Sequence, residues 1–315
     1  MDIACRLRLL VVSTTILCLL LASQPQAQAA SSGAASTLQK ECVLNARELR
    51  VVSTQLGNVP ATLRIPPHVS RPPIVLWHGF GSPTSESELM SRLPLDDVPA
   101  IKVYLGLPLF GARAPAGGTD ELVRRQKEDV ARLVFEPVVW GAVDELPAVV
   151  AALARHRCMK SGDKIGLFGF SAGGTAALIS LAEHKVRVSS AVALNPSTGL
   201  TASVHAFEHA TGRAYAWTDA SRRLARRSDV AGRAADVAAD RQAPALLIIA
   251  GEADNTIAAQ DLDGLKNALS AHYSAVGAAD RFAYVVMAGL KHNLVGSESE
   301  QDLQARLAGW FNRFK

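Results

Sequence analysis

Beyond residue 40 the chain alternates short, almost wholly apolar runs with longer stretches in which apolar residues recur every three or four positions. That is the pattern of strands alternating with amphipathic helices. The runs predict strands at Glu48 to Thr54, Ala61 to Ile65, Ile74 to Trp77, Ile101 to Leu105, Lys164 to Phe170, Ser189 to Leu194, Ala245 to Ala250 and Phe282 to Met287. Five of them (Ile74-Val-Leu-Trp, Ile101-Lys-Val-Tyr-Leu, Ile165-Gly-Leu-Phe, Ala191-Val-Ala-Leu and Leu246-Leu-Ile-Ile) carry scarcely a polar residue, as strands covered on both faces should. Helices are predicted over Glu121 to Arg132, Val138 to His156, Ala172 to His184, Thr256 to Ala271 and Glu298 to Phe314, with Pro66-Pro67 and Pro72-Pro73 punctuating the entry to the sheet. The class implied is α/β, a mostly parallel central sheet flanked by helices.

One stretch breaks the alternation. About residues 198–243 run without a strand and are rich in Ala, Arg and Asp, which reads as a small helical cap inserted into the domain, too short to hold a core of its own. Its arginines, Arg222, Arg223, Arg226, Arg227 and Arg233, could form an anion or nucleic-acid patch. Asp219, Asp229, Asp236 and Asp240 interleave with them, so a solvated helix face is the preferred reading. No internal repeat is found.

The N-terminus is a separate object. Arg6 and Arg8 precede an apolar run from Leu9 to Ala22, followed by Ala27-Gln28-Ala29, so residues 1–29 read as a signal peptide for a secreted or periplasmic protein. An uncleaved membrane anchor is the alternative, disfavoured by the shortness of the run. Residues 30–39 then form a flexible tail and 40–315 the domain. Cleavage removes Cys5 and Cys18 and leaves Cys42 and Cys158, which either pair as a disulfide or stay as two buried thiols.

Composition adds exclusions. With 49% hydrophobic and 20% charged residues in 315, global disorder is excluded. A surplus of +4, from 33 basic and 29 acidic residues, is too small to argue for nucleic acid as a partner. No run of about 18 apolar residues follows the first 25 positions, so no stable membrane insertion is expected after signal cleavage.

The sharpest chemical signal is Gly169-Phe-Ser-Ala-Gly173, between a predicted strand and a predicted helix. A serine held on so tight a strand-to-helix turn needs small neighbours two residues away on each side, which Gly169 and Gly173 supply. A hydroxyl is a poor nucleophile until a base takes its proton, so Ser171 needs a histidine oriented by a carboxylate. Asp254, in Gly-Glu-Ala-Asp-Asn-Thr, and His292, in Gly-Leu-Lys-His-Asn, follow in the order Ser, Asp, His, each just after a strand. Glu252 competes as the acid but sits closer to the strand. His184, His205, His209 and His272 fall in helical or cap stretches and are not expected to serve as the base. Backbone N–H groups must also hold the oxyanion. Ala172, at a helix start, and Phe80, in the loop His78-Gly-Phe-Gly-Ser, are the candidates, while the His78 ring is read as structural.

Together the HGFG loop, GFSAGG elbow, GEADNT turn and GLKHN loop resemble the α/β-hydrolase superfamily over roughly Pro72 to Lys315. Within it, the HGFG loop and the short C-terminal module resemble dienelactone-hydrolase-like and prolyl-oligopeptidase-like serine hydrolases and secreted bacterial lipases or esterases. The resemblance implies Ser171 as nucleophile, Asp254 as orienting acid, His292 as base, Phe80 and Ala172 as oxyanion donors, and no metal or organic cofactor. Lacking a propeller-sized N-terminal region, the chain is not expected to be a gated oligopeptidase, and Arg113, in a loop that resembles one carrying Gly-x-Arg, is read as structural. The expected activity is cleavage of a carboxylic ester or related acyl bond in a small-molecule substrate. A short-peptide peptidase and a non-catalytic binding protein of the same fold are the alternatives.

Overall fold

The computed structural model describes residues 38–42, 47–257, 259–293 and 297–314. The expected signal peptide and most of the expected tail lie outside them. The tail's end does not: Leu38 and Gln39 belong to a helical turn, with Leu38 only 1% exposed. The tether is a disulfide between Cys42 and Cys158, with Cα atoms 4.9 Å apart, which brings this turn onto the domain and lets Leu38 join its core.

Eight strands make one sheet: β1 (Arg50–Leu56), β2 (Val59–Ile65), β3 (Ile74–Trp77), β4 (Lys102–Leu105), β5 (Ile165–Phe170), β6 (Val188–Leu194), β7 (Ala245–Gly251) and β8 (Phe282–Met287). Their spatial order is β1-β2-β4-β3-β5-β6-β7-β8. β2 pairs antiparallel with β1 and β4, and every other pairing is parallel. The five apolar runs of the sequence become β3, β4, β5, β6 and β7, buried along their whole length because helices cover both faces. On one side sit α1 (Glu86–Arg92) and α9 (Ser297–Arg313), on the other α3 (Gly141–Arg155) and α4 (Ala172–Glu183). This is the α/β-hydrolase fold.

The differences from expectation have local causes. A helix predicted from Val138 is the end of a helical run from Gly118 to Arg155. It comprises α2 (Gly118–Val130), a π-helical segment at Ala131–Trp140 that contains Pro137, and α3. The run is long and apolar enough to cross a membrane, yet its apolar side (Val134, Phe135, Val138, Val139) is core. A helix predicted from Thr256 begins instead at Asp263, as α8 (Asp263–Ala275), preceded by a 3-10 turn at Ala259–Leu262.

The insertion between β6 and β7 contains α5 (Leu200–Thr211), α6 (Asp219–Ser228) and α7 (Ala234–Val237). α5 and α6 pack on the π-helical segment, and α7 packs on α4 and α8. Its arginines are not uniformly solvated. Arg227 lies over the Trp140 ring at 3.4 Å, and Arg233 pairs with Glu183 at 2.8 Å and Asp236 at 2.9 Å.

Candidate active site

Ser171 sits between the last residue of β5 and the first of α4, with φ 52° and ψ −118°. A non-glycine residue there is strained, and the surroundings must hold it. They do so by close approach: a Cβ on Gly169 would lie 2.0 Å from the Gly173 carbonyl oxygen, and one on Gly173 would lie 2.4 Å from that of His78. The Ser171 N–H donates to the Leu194 carbonyl at 2.9 Å, and Thr175 N–H donates back to the Ser171 carbonyl at 3.0 Å. Strand, turn and helix are locked, and the hydroxyl is left projecting at the C-terminal edge of the sheet.

Asp254 and His292 are 38 residues apart and meet because their loops are zipped together. Glu252 N–H donates to the Met287 carbonyl at 2.9 Å and Ala253 N–H to that of Leu290 at 3.1 Å. Glu252 itself accepts from Gly289 N–H at 3.2 Å. Gly251 allows the approach, since a Cβ on it would meet the Leu290 carbonyl oxygen at 2.3 Å.

The Asp254 side chain is fully buried. Its Oδ1 accepts from Thr256 N–H at 2.8 Å and Ile257 N–H at 2.9 Å, and its Oδ2 accepts from His292 Nδ1–H at 2.7 Å. With Nδ1 carrying the proton, the Nε2 lone pair faces outward, and the Ser171 hydroxyl donates to it at 3.0 Å. The Phe170 ring packs against the imidazole, with centroids 5.4 Å apart. The structure thus joins Ser171, His292 and Asp254 in one hydrogen-bonded line. The arrangement can pass a proton from hydroxyl to ring while the carboxylate steadies the charge that the ring acquires.

Ala172 is the first residue of α4, so its N–H is among the first-turn donors that a helix leaves unused. Phe80 lies in the loop after β3, one residue beyond Gly79. A Cβ on Gly79 would come within 2.8 Å of Ser171 Cβ, so this loop runs directly over the nucleophile. Its shape rests on His78, which has no exposed surface. The His78 Nδ1–H donates to the Gly79 carbonyl at 2.8 Å, and its Nε2 accepts from Leu107 N–H at 3.1 Å. Burial pushes the ring's pKa down to about 4, so it is neutral and uncharged in its role of tying two loops together. Phe110 closes the group, 5.8 Å from the His78 ring and 5.6 Å from that of Phe80. Arg113 is held in an ion pair with Glu145 and donates to the Gly106 carbonyl at 3.1 Å.

The other histidines stand elsewhere. His184 bonds the Asp236 carbonyl, His272 lies on α8, and His205 and His209 lie on α5. Among the described residues no group of three or more His, Cys, Asp and Glu could hold a metal ion.

One residue of the site escapes a reading by motif. Asn195, 1% exposed with φ 46°, follows β6. Its Oδ1 accepts from Gly251 N–H at 2.7 Å and its Nδ2–H donates to the Lys291 carbonyl at 3.4 Å. It therefore clasps the start of the acid loop and the residue before His292. Its position, a polar side chain immediately after a buried strand at the same edge as the other three, was the available signal.

Comparison with known proteins agrees with this architecture. The sequence profile of the prolyl oligopeptidase family matches residues 141–315. A search of curated proteins by sequence returns no match. Among solved structures, TT1662 from Thermus thermophilus is 20% identical with a TM-score of 0.62, the alignment covering 84% of this chain and 98% of that one. A puromycin-hydrolyzing peptidase of Mycobacterium tuberculosis is 16% identical with a TM-score of 0.59, over 84% of this chain and 39% of that one. A putative dienelactone hydrolase of Klebsiella pneumoniae is also 16% identical, with a TM-score of 0.57 over 84% and 99% of the two chains.

Proposed function

The chain belongs to the prolyl oligopeptidase family of α/β-hydrolases, and from that premise we propose that it is a secreted or periplasmic serine esterase working through Ser171, His292 and Asp254. Ser171 Oγ attacks the carbonyl carbon of a small acyl substrate while its proton passes to His292 Nε2. The oxyanion of the tetrahedral intermediate is received by the N–H groups of Ala172 and Phe80. Collapse expels the alcohol, which takes the proton from His292, and leaves an acyl-serine. Water then enters, gives its proton to the same nitrogen and releases the acid.

The observation that carries this reading is the line of two hydrogen bonds, 3.0 Å from Ser171 to His292 and 2.7 Å from His292 to Asp254, with the serine on a strained turn that only a purpose would retain. Residues 1–29 would supply the export signal, and the Cys42–Cys158 disulfide suits the oxidising compartment to which it leads.

The test is labelling by a fluorophosphonate probe, with the modified residue mapped by mass spectrometry. Ser171 should be labelled in the wild type and not in Ser171→Ala, and labelling should fall by orders of magnitude in His292→Ala. A folded wild-type protein that takes no label would refute the assignment. A second reading, hydrolysis of short peptides, is favoured by the family match and by the peptidase among the structural neighbours. Turnover of aminoacyl amides in preference to p-nitrophenyl esters would establish it instead.

A further inference from the structure

Two cavities flank helix α5, and they share a wall. The larger, about 530 Å³, runs from Thr198 and His209 to Asn255, Thr256 and Ile257, the turn whose amides hold the Asp254 carboxylate. It also lies beside the elbow, because Ser197, the residue before Thr198, bonds through its Oγ to the Thr175 hydroxyl at 3.0 Å, one helical turn after Ser171. The smaller cavity, about 330 Å³, is lined by Thr201, His205, Trp217, Arg222, Ala225 and Arg226. Thr201 and His205 line both.

The smaller cavity is basic. Arg222 and Arg226 lie one turn apart on α6, so their guanidinium groups share a face. Among the described residues neither makes an ion pair, unlike their neighbours Arg227 and Arg233, which reach Glu183. Glu208 accepts from Tyr215 N–H at 2.7 Å and Asp129 from the Tyr215 hydroxyl at 2.6 Å, and Asp219, one turn before Arg222, forms no ion pair with it. Those two bonds fix Tyr215, whose ring meets that of Trp217 edge-on at 5.0 Å, and Trp217 in turn lies under the Arg222 guanidinium at 6.0 Å. No carboxylate lines this cavity, while the larger one carries Asp261. Two cations that pair with no carboxylate among the described residues, one oriented on a braced aromatic platform, beside a cavity that reaches the turn after Asp254, make a receptor for an anion.

We infer that Arg222 and Arg226, with Trp217 as their platform, form a subsite for an anionic group on the substrate, a carboxylate or a phosphate remote from the bond that is cleaved. The inference rests on the hydrolase reading and narrows its substrate to acyl compounds with a negatively charged tail. Guanidinium groups suit both anions, since each presents paired oxygens to a planar fork of N–H donors.

The experiment compares three p-nitrophenyl esters of similar length: the hemiglutarate, the 4-phosphonobutanoate and the neutral hexanoate. In the wild type kcat/KM for an anionic ester should exceed that for the hexanoate. In Arg222→Gln/Arg226→Gln the anionic-to-neutral ratio should fall about tenfold, the loss expected for one charge-assisted contact. Arg223→Gln, on the same helix but outside the cavity, should keep the wild-type ratio. Preference for one anion over the other identifies which tail the subsite takes. A wild-type ratio at or below one, an unchanged ratio in the double variant, or an equal loss in Arg223→Gln would overturn the proposal. Fluorophosphonate labelling of the same preparations separates the two claims: without label at Ser171 and without turnover of any ester the hydrolase reading fails. The basic cavity is then read by calorimetric titration with glutarate, which should bind the wild type and not the double variant.

Discussion

Asn195 offers the most direct test of how the site is held. Replacing it by Ala removes the acceptor of Gly251 N–H and the donor to the Lys291 carbonyl, and the position is 1% exposed. Leaving a buried N–H unsatisfied costs about 1–3 kcal/mol. Alanine at φ 46° adds about 1 kcal/mol, because a Cβ is unfavourable in the left-handed region and lacks the local bonds that asparagine makes there. Asn195→Gly loses the same two bonds without that second cost. The two variants should therefore differ by about 1 kcal/mol in urea-unfolding stability, with Gly the more stable. Their kcat should nevertheless fall alike, by about 10- to 100-fold, since both leave Asp254 and His292 on loops no longer clasped to β6, and misplacement of a reacting group by an ångström has that effect. KM should hardly move, because Asn195 does not face either cavity. Steady-state kinetics on a p-nitrophenyl ester, with stability measured on the same preparations, decides it. A Gly variant with wild-type kcat would show that Asn195 is merely a core residue and would sink the argument that it positions the triad.

Four further outcomes follow from the same structure. Gly173→Ala should abolish turnover and destabilise the fold by about 1–3 kcal/mol, because its Cβ would meet the His78 carbonyl oxygen at 2.4 Å; a variant active on esters would contradict the locked elbow. Cys42→Ser/Cys158→Ser should lower unfolding free energy by up to about 5 kcal/mol, the loop-closure figure for a separation of 116 residues, and an unchanged urea midpoint would refute it. His78 has a folded pKa of about 4 against 6.5 unfolded, so the unfolded chain binds its proton first. Stability should fall by about 3 kcal/mol as pH drops from 6.5 to 4, and His78→Gln, compared by urea midpoint at each pH, should flatten that slope. Lys102 has no exposed surface, and burial lowers its pKa to about 8 from 10.5. Lys102→Met should therefore stabilise the protein at pH 7, with Val98 O still accepting from Ala100 N–H, and the gain over wild type should shrink between pH 8 and 10.5 as the unfolded lysine also loses its proton; a lower melting temperature for the variant at pH 7 would be the contrary result.

The sheet was legible because its strands are apolar runs, and the loops bearing Ser171, Asp254 and His292 were legible because chemistry in open α/β sheets gathers at the carboxyl ends of strands. β3 and β8 have the bounds the pattern predicts, and the others shift by one or two residues. What escaped depends on contacts that no local pattern carries. The helix predicted from Thr256 begins at Asp263, behind a 3-10 turn at Ala259–Leu262 whose residues the apolar spacing does not separate from it. α1 is seven residues long with one buried side chain, Leu89, too little periodicity to register. The pairing of Cys42 with Cys158 is a matter of distance, and sequence gives none. Asn195 shows the same limit from the functional side: its residue type and place were visible, but its role comes from two partners 56 and 96 positions away.

This division has a consequence for where selectivity can vary. Every group in the proton line is fixed by main-chain bonds at strand ends: Ser171 by β6 and α4, Asp254 by its own turn, His292 through Leu290 and Lys291. Such a frame leaves little freedom to change without losing the 3.0 and 2.7 Å contacts. The insertion is held differently. Its packing on the domain uses one side of α6, through Ser221, Leu224 and Ser228, the last accepting from Trp140 Nε1–H at 2.9 Å, while Arg222 and Arg226 stand on the exposed side and take part in none of it. Substitutions at those two positions should therefore alter which acyl compounds are taken while leaving the melting temperature within about 1 °C, since surface changes away from packing cost little. Thermal unfolding of the double variant measures this directly, and a large drop would mean that the arginines hold the insertion in place rather than a substrate.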